Sequence, residues 1–547
     1  MNFKRLLFSF CAISYSFLVL GQEDDAERGV QDAEIIIEKD RQIKLNSETK
    51  LYEYIKYNPE NEKYEVPNDG FEAYEFNRAI EPTIFDPPQV TIEEQGPDYR
   101  QFLKAGFGNY GSPIIDLSLS TPSNTNLMMG LNYKHLSYSK GEVDEENSAS
   151  SFNELTLYAL AAYEKVKIKP SIWYSHNKNY FYGYTPVIPA PSRNDIKRTN
   201  NFFGLGVDFE DNTLENEWSY LAGFKYDYFI DSFENSENTF TASALFDWKT
   251  RMNLESELML SSYNVLDSSQ SRFYYRLLPY YQLAVGDLLV DLGLSVNGQN
   301  DDVEGLNTLK VFPYVNAIYN LNKEYSGFLK IDAGYDLNTM NSIARDLSFL
   351  SSSFSPQNTQ VDLAFESGVK GLLTDKLSLE VKVGYKRVKN FMVFVNDQVE
   401  RAQILPNYDD GKVVIGSVGL AAQYFFSDDH DISFTSNLYG YNMSDEQREA
   451  YHRPTIDVKV KGNHTFIEKL TYQWQFGLLA GIEAINTNGS NVTLDPIPKL
   501  DMMIHYQIIE RIGGWVSFDN MLSQEYSRYL YYPERKFMFK LGASVRF

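Results

Sequence analysis

From Tyr99 to Phe547, apolar and polar side chains alternate with a period of two in segment after segment. In "KLSLEVKVGYK", Leu377, Leu379, Val381, Val383 and Tyr385 share one side of an extended chain, opposite Ser378, Glu380, Lys382 and Lys386. In "TIDVKVK", Ile456, Val458 and Val460 oppose Asp457, Lys459 and Lys461. In "KLDMMIHYQI", Leu500, Met502, Ile504, Tyr506 and Ile508 oppose Lys499, Asp501, His505 and Gln507. The final residues, "KFMFKLGASVRF", set Phe537, Phe539, Leu541, Ala543, Val545 and Phe547 against Lys540, Ser544 and Arg546. A two-residue period marks a β-strand whose faces meet different surroundings. It predicts an all-β fold of about 22 strands, one of them over 412–425.

Soluble sandwiches also alternate, with their apolar faces turned inward. The connections separate the two cases. Long polar ones follow odd-numbered strands, such as "KGEVDEENSASS", "NTMNSIARDLSFLSSSFSPQN" and "DQVERAQILPNYDD". Tight ones follow even-numbered strands, such as "VGD", "TDK", "SDD" and "IEK". Short turns at one end and long loops at the other describe a transmembrane antiparallel up-and-down β-barrel. Closure is obligatory there, because an open edge would leave backbone N–H and C=O groups unpaired in hydrocarbon. The 40 Tyr and 36 Phe suit aromatic girdles at both membrane faces.

The first residues read differently. Lys4 and Arg5, an apolar run from Leu6 to Leu20 and small Gly21 form a signal peptide over 1–21. Residues 22–98 carry 21 Asp/Glu against 8 Lys/Arg and are broken by six prolines. They are expected to form an extended, acidic periplasmic or lumenal arm ahead of a barrel over 99–547. The formal net charge of −24 argues against nucleic-acid binding. The single cysteine, Cys11, lies inside the signal, so no thiol chemistry is expected of the mature chain.

The segment 517–547 resembles the closing hairpin of TonB-dependent receptors. An Asn-containing strand, a Tyr-rich loop, a Pro, an Arg and a last strand ending in Arg-Phe recur as Asn520, Tyr526, Tyr531, Tyr532, Pro533, Arg535, Arg546 and Phe547. The arm-plus-barrel layout is similar to plugless, receptor-like barrels of Bacteroidota, since 22–98 is too short and too acidic for the receptors' plug domain. The resemblance implies a Gram-negative outer-membrane location. It also implies a barrel-assembly signal in Phe537, Phe539, Leu541, Val545 and Phe547, read by the barrel-assembly machinery. Ile35, Ile36 and Ile37 are a candidate for a segment that pairs by strand addition.

A barrel this wide needs something in its lumen. The candidate lumen-facing polar residues are Glu380, Lys382, Asp457, Lys459, Lys461 and His505. No metal-ligand spacing, phosphate-binding glycine loop or nucleophile constellation stands out. The acidic cluster "SDDHD" at 427–431 falls in a tight turn, where solvation explains it. The chain is therefore expected to be no enzyme and to hold no cofactor or metal. Its expected partners are outer-membrane lipid and, in addition, periplasmic or outer-membrane proteins. On sequence alone the favoured role is a structural or accessory subunit of an outer-membrane complex. The alternative is a receptor-like or porin-like transport barrel for nutrient uptake.

Overall fold

The computed structural model describes residues 101–547, apart from 122–125, 213–217, 249–250, 266–267, 302, 304–305, 307, 428, 445–448 and 468. The signal peptide, the arm over 22–98 and Ile35, Ile36 and Ile37 lie outside the described residues.

Twenty-two antiparallel strands form one sheet, each paired with its neighbours in sequence. The first strand (Gln101–Gly108) pairs with the last (Met538–Arg546) from Phe102 opposite Arg546 to Gly108 opposite Lys540. The sheet is thus a closed ring with no free edge. Alternation decides which way each residue points. On the fifteenth strand (Leu377–Asn396), Val381 and Val383 lie on the outer wall, 43% and 47% exposed. Leu205, Phe224, Leu292 and Leu541 are likewise exposed on theirs. Polar residues fill the inner face: Ser295 and Asn297 are fully buried, and Arg276 pairs with Asp332 at 3.1 Å. This is the reverse of a soluble sandwich, whose strands bury their apolar sides. Among the described residues no helix is long and apolar enough to cross a membrane; this has no bearing on spanning by strands.

The two ends of the ring differ as the loop lengths require. The tenth strand (Ser268–Val285) turns into the eleventh (Leu288–Gln299) through Gly286 and Asp287 alone. The chain crosses residues 337–358 between the thirteenth strand (Tyr325–Asp336) and the fourteenth (Thr359–Thr374). The tight turns share their end with both limits of the described barrel, where Phe547 N–H donates to Gln101 O at 3.0 Å. At the closing seam Gly542 is required by space. A Cβ there would sit 2.0 Å from Ala105 O. Trp515 lies across neighbouring Gly106, with the Lys104 ammonium 4.4 Å from its ring.

Two features depart from the sequence reading. The sixteenth strand begins at Ile404 rather than near 412. Pro406, Asp409, Asp410 and Gly411 look like loop, yet Phe391–Asn396 pairs with Ile404–Asp409 as an extension of the hairpin. A bulge at Asn390, where φ is +55°, re-aims this extension. The second feature is a helix, α1 (Met340–Asp346), inside what reads as a long polar loop. Thr339 caps it in reciprocal hydrogen bonds with Ser342.

Candidate functional site

Several loops at the long-connection end turn inward, although tips such as Ile188 and Val399 stay exposed. Segments 181–196, 337–358, 397–403, 449–455 and 520–537 fold over the barrel mouth and pack together as a lid. Met340, Ile343 and Ala344 of α1, followed by Leu347, form one helical stripe, and all four are buried. They join Phe349, Leu350, Tyr182, Phe394, Ile404 and Tyr532 in a single apolar cluster. Phe349 stacks on Tyr532 with ring centroids 3.6 Å apart, and Tyr182 meets both rings edge-on. Ile404 N–H donates to Phe349 O at 2.9 Å and Ser351 N–H to Ile404 O at 2.7 Å, so 337–358 is zipped to the extended hairpin.

Two buried arginines hold this segment from the barrel wall. Arg198, 1% exposed, pairs with Asp231 at 3.0 Å and donates to Leu350 O and Ser351 O. Arg272 makes a two-pronged pair with Asp301 at 2.6 and 2.7 Å. It also donates to Asn338 O at 2.8 Å and to Asn358 Oδ1 at 2.6 Å. Arg272 therefore grips both ends of the segment and Arg198 its middle. Glu237 accepts Asn341 N–H at the start of α1 at 2.9 Å. Buried charges of this kind need such saturation, since each would otherwise cost several kcal/mol.

The other loops are fastened in the same way. Arg401 donates to Gly183 O and Tyr184 O at 2.9 and 2.8 Å, and Tyr532 OH donates to Ala402 O. His452, fully buried, uses Nδ1 to donate to Phe394 O at 2.8 Å. Its Nε2 accepts Leu530 N–H at 3.2 Å, so the neutral ring serves both bonds. Burial pulls its pKa down to about 4.

Below the lid, the lumen wall is polar. Glu380 and Lys382 lie on the inner face of the fifteenth strand, opposite its exposed valines, and Lys382 reaches Glu366 at 3.6 Å. Asp457, Lys459 and Lys461 share the inner face of the eighteenth strand (Ile456–Ile467), in register with Asn437, Thr435 and Ser433. His505, on the twentieth (Ile497–Ile509), meets Ser544 Oγ at 2.9 Å. All six line the lumen but are spread over three non-adjacent strands, and the structure does not gather them into one site. Phe539, Leu541 and Val545 share the outer face of the last strand, Phe537 precedes it and Phe547 follows it. "SDDHD" spans the tight turn between the sixteenth and seventeenth strands. No cluster of three or more potential metal ligands occurs among the described residues.

The lid residues were missed by sequence reasoning. Arg198, Asp231, Arg272 and Asp301 sit near strand ends, and nothing in a local pattern pairs residues so far apart. Only α1 left a trace, in the capping pair Thr339 and Ser342 ahead of the Met340, Ile343, Ala344 and Leu347 spacing.

No protein-family model matches the chain, and no curated protein matches it by sequence. Solved structures do match in fold. The FrpB iron transporter from Neisseria meningitidis aligns with a TM-score of 0.63 at 10% identity, covering 83% of this chain and 82% of that one. The siderophore receptor PiuA from Acinetobacter baumannii aligns at 0.61 and 10%, covering 84% and 82%. The ferric-catecholate import receptor Fiu from Escherichia coli K12 aligns at 0.60 and 9%, covering 82% of each. The chain thus shares the 22-strand barrel fold of these solved receptor and transporter structures.

Proposed function

We propose that this chain is an outer-membrane transport barrel, receptor-like in build, whose mouth is closed by the five-loop lid and which passes a solute when the lid yields. The observation that carries this reading is the clamped, apolar lid over a wide, polar lumen. A wall that served only as scaffold has no need of a mouth sealed by two buried arginine clamps. The fold shared with iron and siderophore receptors supports import ahead of the accessory role favoured on sequence alone. That role keeps one observation in its favour, the strongly acidic composition of 22–98.

Purified full-length protein in planar bilayers tests the reading. Wild type is expected to conduct rarely, and Arg198→Met combined with Arg272→Met to conduct in long openings. Equal, low conductance in both would remove the conduit reading. An accessory subunit would instead show stable co-purification with envelope proteins that is lost on deletion of 22–98, with conductance unaffected.

A further inference from the structure

The outer face of the fifteenth strand is apolar from Leu377 to Tyr385 and then changes to Arg387 and Lys389. The sixteenth (Ile404–Ser427) changes at the same level, from Val414 to Lys412. Val388 and Val413, 1% and 0% exposed, take the inner face, so the three cations point outward. The strand from Leu377 to Arg387 runs about 33 Å, or about 25 Å of height at a tilt of about 40°, the thickness of an outer-membrane barrel's apolar band. Arg387, Lys389 and Lys412 therefore stand at the height of lipid headgroups, on the long-loop side.

These cations lack enough anions of their own. Lys389 lies directly opposite Lys412, and like charges opposed across strands destabilise a sheet. Arg387, 45% exposed, is 3.9 Å from Asp362, a carboxylate already held by Lys310 at 2.5 Å. Among the described residues Lys412 forms no ion pair. Nearby Asp409 is taken up by Gly411 N–H and Ser444 N–H, both at 3.0 Å, which leaves exposed Asp410 as the other acid of that stretch. Elsewhere near this height the outer wall turns polar through neutral side chains, such as Asn153, Asn201, Asn238 and Asn264.

Below the cations the same wall is hollow. Gly416 on the sixteenth strand faces Gly440 on the seventeenth (His430–Asn442), and a Cβ on either would meet nothing within 4 Å. Tyr385 stands beside Gly416, and exposed Val418 and Leu438 form the lower edge. A simple anion would meet the cations and make no use of the hollow. An acidic protein outside the membrane would not reach it.

We propose that this patch binds one phosphorylated lipid of the outer leaflet. Its phosphate sits on Arg387, Lys389 and Lys412, and an acyl chain lies along Gly416 and Gly440. The inference goes beyond the transport reading and does not depend on it.

Native mass spectrometry of the full-length barrel in an uncharged detergent tests it, with dioleoyl phosphatidic acid, dioleoylglycerol and glycerol phosphate as probes. One phosphatidic acid is expected to bind, at least about tenfold more tightly than either other probe. The variant combining Arg387→Gln, Lys389→Gln and Lys412→Gln should bind it no better than dioleoylglycerol. Lys323→Gln, in a turn at the opposite end, should keep the wild-type preference. Equal binding of phosphatidic acid and dioleoylglycerol to wild type overturns the proposal. So does equal binding of phosphatidic acid and glycerol phosphate, or binding of none, and these results need no variant to fold. A triple variant that keeps the preference overturns it as well.

Discussion

Arg198 and Asp231 are worth more broken than intact. Arg198→Met strands a carboxylate that is fully enclosed, although Asp231 still accepts Phe233 N–H and Asn235 N–H. Removing one partner of a buried pair costs about 3 kcal/mol, and the double change Arg198→Met with Asp231→Asn should recover most of it. Limited proteolysis of 337–358 in detergent reads this directly: fast in the single variant, slow in the double. One buried titrating group acts on the lid. His452 has its pKa depressed to about 4, so its contribution is present above its ordinary 6.5 and lost as pH falls through 4. The lid should therefore become more protease-sensitive as pH falls from 6 to 4, and a pH-independent rate would contradict the assignment.

At the scale of elements, α1 is too short to persist alone and exists because its stripe is buried. Ile343→Asp puts a charge into that stripe, at a cost of several kcal/mol against the lid. The barrel strands do not depend on it. Heat-modifiability on a gel should therefore stay as in wild type while 337–358 becomes cleavable. This division also explains what could be read in advance. The barrel strands were legible because each one repeats a two-residue pattern that pairing with its immediate neighbour completes. The hairpin extension at 404–409 was not, because Pro406 and the nearby Asp409, Asp410 and Gly411 carry turn chemistry, and pairing resumes there only past the bulge at Asn390. The lid was not, because its core draws single side chains such as Tyr182, Phe349 and Tyr532 from separate loops and Phe394 from the hairpin extension. Each of those loops, taken alone, reads as polar or aromatic connection. Alternation assigns the six polar candidates a face but carries no information about distance around the ring, and the structure spreads them over three strands.

For the whole molecule, the seam between the first and last strands is the least replaceable contact. Gly542→Val inserts branched carbons where the Ala105 carbonyl already stands. The variant should fail to reach the heat-modifiable form, whereas Gly416→Ala, with nothing within 4 Å of its Cβ, should reach it normally. The seam joins residues more than four hundred positions apart in the chain. A ribosome that stalls before Met538 releases a polypeptide with two raw rims and no way to join them. Such a fragment would leave backbone donors and acceptors unpaired along both rims, which hydrocarbon does not tolerate. Proofreading for full length is in this way written into the order in which the staves of the barrel meet.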